Sequence, residues 1–221
     1  MTFVLEPLLT PDQLAKYQLT LSDQGLPWTP GRETAGWHAR LVKSNHQLPR
    51  DSAVHQTLSQ DLADVLMLHP LVQARAFPVR VHSLLFSRCG VGEGYGRHID
   101  NAWMAGGRSD LSFTLALSDP GDYSGGELVL ETENGESRLR LPAGHAVIYP
   151  STLHHRVEPV STGERLVAVG WIQSRIRGND QRELLFELDT ARRLQFQAQG
   201  KDEVFDLISR SYTNLLRRWD C

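Results

Sequence analysis

The sequence feature that most constrains the fold is a run of short apolar segments between residues 79 and 177. These segments are rich in β-forming residues, and glycine, proline, asparagine and aspartate separate them. An Asn-Gly pair within residues 133–136 predicts a hairpin turn. Short strands with such turns predict a sandwich, a jelly roll or a barrel. The predicted strands lie within residues 79–88, 110–119, 126–132, 137–142, 145–150 and 165–174.

Helical patterns flank this β-rich region on both sides. Thr10 is predicted to cap a first helix, with Pro11 in its first turn. A second helix is predicted from a cap at Asp51 to a stop at Pro70, and the chain between the two helices is predicted to be extended around residues 41–42. Two further amphipathic helices are predicted after residue 178. Their apolar stripes comprise Leu184, Leu185, Leu188 and Leu194, and then Val204, Leu207, Ile208, Tyr212 and Leu215.

The predicted fold class is therefore mainly β with flanking α. We expect a helical and extended flank over residues 1–78, a β core over residues 79–177, and a helical extension over residues 178–221 that packs on the core. The stripes of the last two helices are too short to form an independent core. A homodimer through these helices is a further possibility that the sequence leaves open.

Composition excludes several classes of partner. The formal net charge is −3 and the basic residues form no cluster, so we expect no nucleic acid and no membrane partner. The first residues lack the basic region of a signal peptide, and no stretch approaches the roughly 20 apolar residues of a membrane span. Cys89 and Cys221 form no spacing motif, which predicts a disulfide-free cytoplasmic protein.

Two stretches carry candidate metal ligands. His98 and Asp100 are two residues apart, a spacing that places both side chains on one face of a strand. By itself this pair fits a polar strand facing water equally well. A later β segment adds His154 and His155, and two histidines with one carboxylate form the facial triad of non-haem iron(II) sites. The other histidines are predicted to be surface or packing residues: His38, His46, His55, His69, His82 and His145.

Strand alternation distinguishes the two adjacent histidines. His155 shares one face with Val157, whereas His154 shares the other face with Arg156 and Glu158. The apolar face should point into the core. We therefore predict that His155 is the ligand and that His154 faces solvent.

Arg165 is the candidate anion-binding residue. It precedes an almost wholly apolar run over residues 166–171, which predicts a buried strand whose arginine needs an anionic partner. No acid nearby in the sequence clearly supplies one. A guanidinium grips a carboxylate through two parallel hydrogen bonds, so a dicarboxylate that also chelates the metal would satisfy Arg165.

These motifs resemble a known family. The stretches "YGRHID" and "LHHRVEPVSTGERLVAVGWIQS" are similar to the iron(II)- and 2-oxoglutarate-dependent dioxygenases of the prolyl 4-hydroxylase type. The stretches "LVKSNHQL", "RSDLSFTLALSDPGDYSGGELVL" and "LPAGHAVIYP" resemble the bacterial PKHD-type hydroxylases more closely. The resemblance covers nearly the whole chain, including "LLFELD" in the C-terminal region.

The resemblance implies a double-stranded β-helix, or jelly roll, with flanking helices. It implies iron(II) ligands at His98, Asp100 and His155, and a 2-oxoglutarate carboxylate on Arg165. L-Ascorbate is a further candidate cofactor. The expected activity is hydroxylation of an unidentified small-molecule or peptide substrate by dioxygen, with release of succinate and carbon dioxide.

Several features near the site admit two interpretations. Tyr95 and Tyr149 either line the pocket and bind the co-substrate, as in the family, or only pack. The loop 101–110 is either a lid or a connector, and Gly125 to Leu128 is expected to serve turn geometry. Two arginines near the predicted mouth, Arg97 and Arg108, favour an anionic or polar substrate.

Two other functions remain open from the sequence. One is a non-catalytic sensor that binds iron or 2-oxoglutarate without turnover. The other is a cupin-like metal enzyme that needs no co-substrate, against which Arg165 argues.

Overall fold

The structure is a computed structural model that describes residues 2–34, 36 and 39–220. His38 and Cys221, named above as a packing or surface histidine and a free cysteine, lie outside the described residues. In the described part of the chain, no helix combines the length and the apolar character needed to cross a membrane. The five α-helices are α1 Pro11–Leu21, α2 Ala53–Leu68, α3 Pro70–Ala76, α4 Asn179–Gln199 and α5 Glu203–Trp219.

Sixteen strands are present in the described residues, most of them short. The first eight are β1 Phe3–Leu5, β2 Thr29–Pro30, β3 Lys43–Ser44, β4 His46–Gln47, β5 Pro78–Cys89, β6 Gly94–His98, β7 Trp103–Met104 and β8 Gly107–Arg108. The other eight are β9 Leu111–Ala116, β10 Tyr123–Gly125, β11 Leu128–Thr132, β12 Gly135–Leu139, β13 Ala146–Pro150, β14 His155–Val157, β15 Val160–Gly163 and β16 Arg165–Ser174.

Two antiparallel sheets form the core. The larger sheet has the order β1-β13-β9-β16-β5-β4-β2, and the smaller has the order β12-β11-β14-β6-β3. Their inner faces meet where Leu128 and Leu130 of β11 pack against Val147 and Tyr149 of β13. Strands distant in sequence are neighbours in both sheets, as in a jelly roll. The predicted double-stranded β-helix is confirmed.

The N-terminal flank takes part in both sheets. β1 pairs with β13 at one edge of the larger sheet, and β4 pairs with β5 near its other edge. β3 pairs with β6 in the smaller sheet. α2 buries Leu58, Leu62 and Leu66 against the outer face of the larger sheet, which it contacts at β5. The N-terminal strands therefore form both edges of the larger sheet and one edge of the smaller sheet, and α2 covers one face.

Two local predictions from the sequence are wrong. Ser52, rather than Asp51, caps α2, and Pro70 begins α3 in addition to ending α2, because proline suits a first helical turn. Residues Ala39–Leu41 form a 3-10 turn, and extended chain begins only at Lys43. The predicted hairpin turn is confirmed: β11 and β12 are joined at residues 133–134, and Gly135, with φ of 106°, already pairs with Thr132.

The C-terminal helices follow the last core strand. α4 contacts α3, and α5 contacts α4. α4 buries Leu185, whereas Leu184 and Leu194 of its predicted stripe are exposed, and α5 has no fully buried residue. Arg182 is the largest fully buried side chain among the described residues, and it donates through Nη1 to the carbonyl oxygens of Ile176 and Arg177. α4 thus satisfies backbone groups at the end of β16.

Candidate active site

The three predicted metal ligands come together between the two sheets. One donor atom from each of His98, Asp100 and His155 lies within 4.8 Å of the other two. His98 and His155 are register partners across β6 and β14, and their ring centroids are 4.2 Å apart. The spacing predicted that Asp100 lies on the same strand as His98. Strand β6 instead ends at His98, and Asp100 reaches the site from the irregular chain that follows.

Backbone carbonyls orient both imidazoles. His98 Nδ1 lies 2.8 Å from the Gly96 oxygen, and His155 Nδ1 lies 3.0 Å from the Leu153 oxygen. A carbonyl can only accept, so each Nδ1 carries the proton and each Nε2 presents a lone pair. Burial, and then repulsion from His155, holds the pKa of His98 well below its usual range. At neutral pH that imidazole is therefore in the state that a metal needs.

Two serines orient the carboxylate. Ser112 Oγ donates to Asp100 Oδ2 over 2.6 Å, and the same hydroxyl lies 2.7 Å from Ser151 Oγ. Both serines are buried. Asp100 Oδ2 is 3.8 Å from His155 Nε2, so the hydroxyl pair fixes the carboxylate beside the imidazole. Metal sites depend on such hydrogen bonds to keep their ligands in place.

The donor set fits iron(II). Two imidazole nitrogens and one carboxylate leave the other coordination positions of an octahedral metal free, which is the arrangement of non-haem iron oxygenase sites. The cavity beside the triad has a volume of about 160 Å³ and brings together residues of both sheets. The cavity thus has room for a ligand next to the metal position.

The side chain of His154, the neighbour of His155 in sequence, points away from the cavity. His154 is half-buried on the outer side of the smaller sheet. Arg97 lowers the pKa of the Glu131 carboxyl there, and His154 lowers it further by a smaller amount. On the same side, Arg156 forms ion pairs with Glu136 and Glu158. The alternation predicted for residues 154–158 is therefore what the structure shows.

Arg165 lies in the same cavity as the triad. It is only 6% exposed, and within the described residues its guanidinium forms no ion pair and no hydrogen bond. Two glycines with positive φ make room for Arg165 and for the chain that leads into β15. A Cβ on Gly126 would lie 2.9 Å from Arg165 Cδ, and one on Gly125 would lie 2.3 Å from the Pro159 oxygen. This agrees with a role in turn geometry for residues 125–128.

The two candidate tyrosines flank the imidazoles. Tyr95 stacks on His98 with ring centroids 3.6 Å apart, and Tyr149 meets His155 edge-on at 5.2 Å. Both also line the cavity. Burial raises the pKa of Tyr95 to about 12, with a smaller contribution from Asp100, and burial likewise raises the pKa of Tyr149. Both phenols are protonated at neutral pH and can donate a hydrogen bond.

The loop 101–110 contains a β-hairpin. β7 pairs with β8, Met104 lines the cavity and Trp103 is 67% exposed. Arg80 Nη1 donates to the Gly106 oxygen over 2.8 Å, and His82 Nε2 lies 3.0 Å from the Arg108 oxygen. The hairpin is therefore tied to the larger sheet and forms one wall of the mouth.

The arginines expected at the mouth do not line the cavity. Arg97 lies on the outer side of the smaller sheet, where it forms two hydrogen bonds to Glu131, and Arg108 pairs with Asp110. Among the described residues, the cations that do line the cavity besides Arg165 are Lys43 and Arg50. Neither was predicted from the sequence: β3 is only two residues long and shows no periodicity, and Arg50 lies in the turn before α2.

Comparison with known proteins identifies the class. Residues 84–173 match the model of the 2OG-Fe(II) oxygenase superfamily, and residues 179–220 match the PKHD-type hydroxylase C-terminal domain. A crystal structure of a Pseudomonas putida prolyl-4-hydroxylase superposes with a TM-score of 0.57 at 20% identity, covering 79% of this chain and 92% of that one. A prolyl hydroxylase from Trichoplax adhaerens superposes with a TM-score of 0.56 at 15% identity, covering 83% and 86%. These structures share the fold of an oxygenase jelly roll.

Full-length relatives define the family. A PKHD-type hydroxylase of Synechococcus elongatus is 52% identical over 223 residues, covering 99% of both chains. Another, from Acaryochloris marina, is 49% identical over 219 residues with the same coverage. The chain belongs to the PKHD-type hydroxylases, which confirms the resemblance drawn from its motifs.

Proposed function

We propose that the chain is an iron(II)- and 2-oxoglutarate-dependent dioxygenase that hydroxylates a small molecule or a peptide, with release of succinate and carbon dioxide. His98, Asp100 and His155 would hold the iron, and Arg165 would bind the far carboxylate of 2-oxoglutarate. The observation that carries the proposal is Arg165 itself. A buried guanidinium that has no carboxylate partner among the described residues shares one cavity with a two-histidine, one-carboxylate cluster.

The residues around the cluster would keep it ready for the metal and its co-substrate. The carbonyls of Gly96 and Leu153 hold the two Nε2 atoms in the liganding tautomer, and Ser112 holds the carboxylate. When bound, iron(II) together with 2-oxoglutarate supplies the activation of dioxygen and the oxidation of the substrate. The protein contributes orientation, charge and an enclosed cavity.

The tyrosines have a packing role and a proposed binding role. Tyr95 and Tyr149 fix the rings of His98 and His155 by contact, and their protonated hydroxyl groups can donate to a co-substrate carboxylate. Tyr149 also forms a side-chain hydrogen bond with Thr114, which lines the same cavity. L-Ascorbate is proposed only as a reductant that keeps iron ferrous, so leaving it out should slow turnover without preventing a first cycle.

Succinate formation tests the proposal. Purified protein is titrated anaerobically with iron(II) and 2-oxoglutarate and then exposed to oxygen, and succinate is measured. His155→Ala should abolish metal binding and succinate, whereas His154→Ala, the matched control, should retain both. Binding of iron and 2-oxoglutarate without any succinate would support a sensor. Metal-dependent oxidation that is indifferent to 2-oxoglutarate would support a cupin-like enzyme.

A further inference from the structure

The charges lining the cavity exceed what the proposed iron and co-substrate require. Among the described lining residues, Asp100 is the only carboxylate, and three side chains are cationic: Lys43, Arg50 and Arg165. If the proposed function holds, iron(II) and Arg165 together match Asp100 and the two carboxylates of 2-oxoglutarate. The charges of iron(II), Arg165, Asp100 and 2-oxoglutarate then sum to zero. Lys43 and Arg50 are left with two positive charges that nothing in the cavity balances.

Lys43 is held inside the cavity by its strand. β3 pairs with β6 so that Lys43 is the register partner of Tyr95. Its Nζ lies 5.3 Å from the centroid of the Tyr95 ring, and that ring stacks on His98. The ammonium group is therefore separated from a proposed metal ligand by one aromatic ring. A cation at this place can reach a molecule that sits beside the metal.

Neither cation has an acidic partner in the part of the chain that the structure describes. Lys43 is half-buried and Arg50 is exposed, and neither side chain forms an ion pair there. Burial, followed by repulsion from Arg50, lowers the pKa of Lys43 to about 8. Two like charges that destabilise each other in a cavity are a common sign of a binding site for an anion.

We propose that Lys43 and Arg50 form a second anion-binding position, and that the primary substrate carries a carboxylate that binds there. Lys43 would act deep in the cavity, and Arg50 would act at the exposed rim. This proposal rests on the dioxygenase function above, because it assigns Arg165 to the co-substrate. Lys43 and Arg50 thus replace Arg97 and Arg108 as the residues expected to favour an anionic substrate.

Benzoate and its neutral analogue benzamide are suitable probes. The protein is loaded with Mn(II) and saturated with 2-oxoglutarate, which occupies Arg165. Relaxation of the probe's ring protons by Mn(II) then reports binding inside the cavity. Benzoate should bind saturably, and benzamide should bind at least about tenfold more weakly, since it lacks the charge.

Substitutions assign the binding to the two cations. Lys43→Met keeps the length of the stem against Tyr95 and should weaken benzoate binding by about ten- to a hundredfold. Lys43→Arg should keep most of the affinity, and Arg50→Gln, at an exposed position, should weaken it without affecting folding. Lys16→Met is the matched control, because Lys16 is an exposed lysine that pairs with Asp61 outside the cavity.

The outcomes separate this proposal from the one on which it rests. Equal binding of benzoate and benzamide, no benzoate binding, or unchanged binding in both Lys43→Met and Arg50→Gln would overturn the second anion position. A loss of 2-oxoglutarate affinity in Lys43→Met would also overturn it, by assigning Lys43 to the co-substrate. By contrast, wild-type protein that fails to bind 2-oxoglutarate in a metal-dependent way would refute the dioxygenase proposal itself.

Discussion

Replacement of Arg165 by methionine is the most direct test of the co-substrate site. The side chain is 6% exposed and lines the cavity, so a carboxylate bound to it would be largely removed from water. Truncating one partner of such a pair costs about 2–5 kcal/mol, much of it from the stranded charge. That corresponds to a loss of 2-oxoglutarate affinity of roughly 30- to several-thousandfold. Methionine fills similar space, which limits any contribution from a new cavity.

The assay is anaerobic titration of the iron-loaded protein with 2-oxoglutarate. Arg165→Met should bind iron as wild type does, since the guanidinium is not part of the ligand cluster. Arg165→Lys should recover only part of the co-substrate affinity, because an ammonium group cannot form two parallel hydrogen bonds. Arg97→Met is the control, since Arg97 is exposed on the outer side of the smaller sheet. Wild-type 2-oxoglutarate affinity in Arg165→Met would remove this arginine from the site and refute the reasoning.

Four further perturbations test the site and its support. His155→Ala should lose Mn(II) binding while His154→Ala keeps it, and the reverse result would show that the strand register is wrong. Ser112→Ala should weaken metal affinity by about tenfold or more, measured by titration, whereas Ser112→Thr should restore it; equal affinities would leave Ser112 without an orienting role. Burial lowers the pKa of His55, so the unfolded chain takes up the proton first as the pH falls. The free energy of unfolding should therefore fall as the pH drops below about 6.5. In urea unfolding, His55→Gln should show a weaker dependence of this free energy on pH. Removal of residues 178–221 should destabilise the rest, because α4 satisfies carbonyls at the end of β16, and a stable, soluble 1–177 fragment would contradict this.

The strands could be predicted where the local pattern is strong. The strand β16 has the bounds Arg165–Ser174, the same as the predicted segment, because its apolar run is long and nearly continuous. The choice between His154 and His155 also rested on local alternation over residues 154–158. Such patterns are properties of a few consecutive residues, so a single sequence contains them.

The missed features depend on contacts between distant segments. Lys43 reaches the cavity only because β3 pairs with β6, about fifty residues later in the chain. Ser112 orients Asp100 across twelve positions of sequence, and no local motif marks either serine. The position of Arg97 was misjudged for the same reason, since its partner Glu131 belongs to another strand. Contacts of this kind depend on the assembled sheet, and local sequence patterns do not specify them.

The register that assembles the proposed metal site is favoured from both faces of the smaller sheet. Leu130 of β11, His155 of β14 and His98 of β6 lie side by side in adjacent strands. A slip of β14 by one residue would turn His155 outward, and it would also break the outer ion pairs of Arg156 with Glu136. Surface ion pairs contribute little alone, but here they favour the same register as the apolar inner face. The chain therefore fixes the spacing of His98 and His155 through ordinary strand packing.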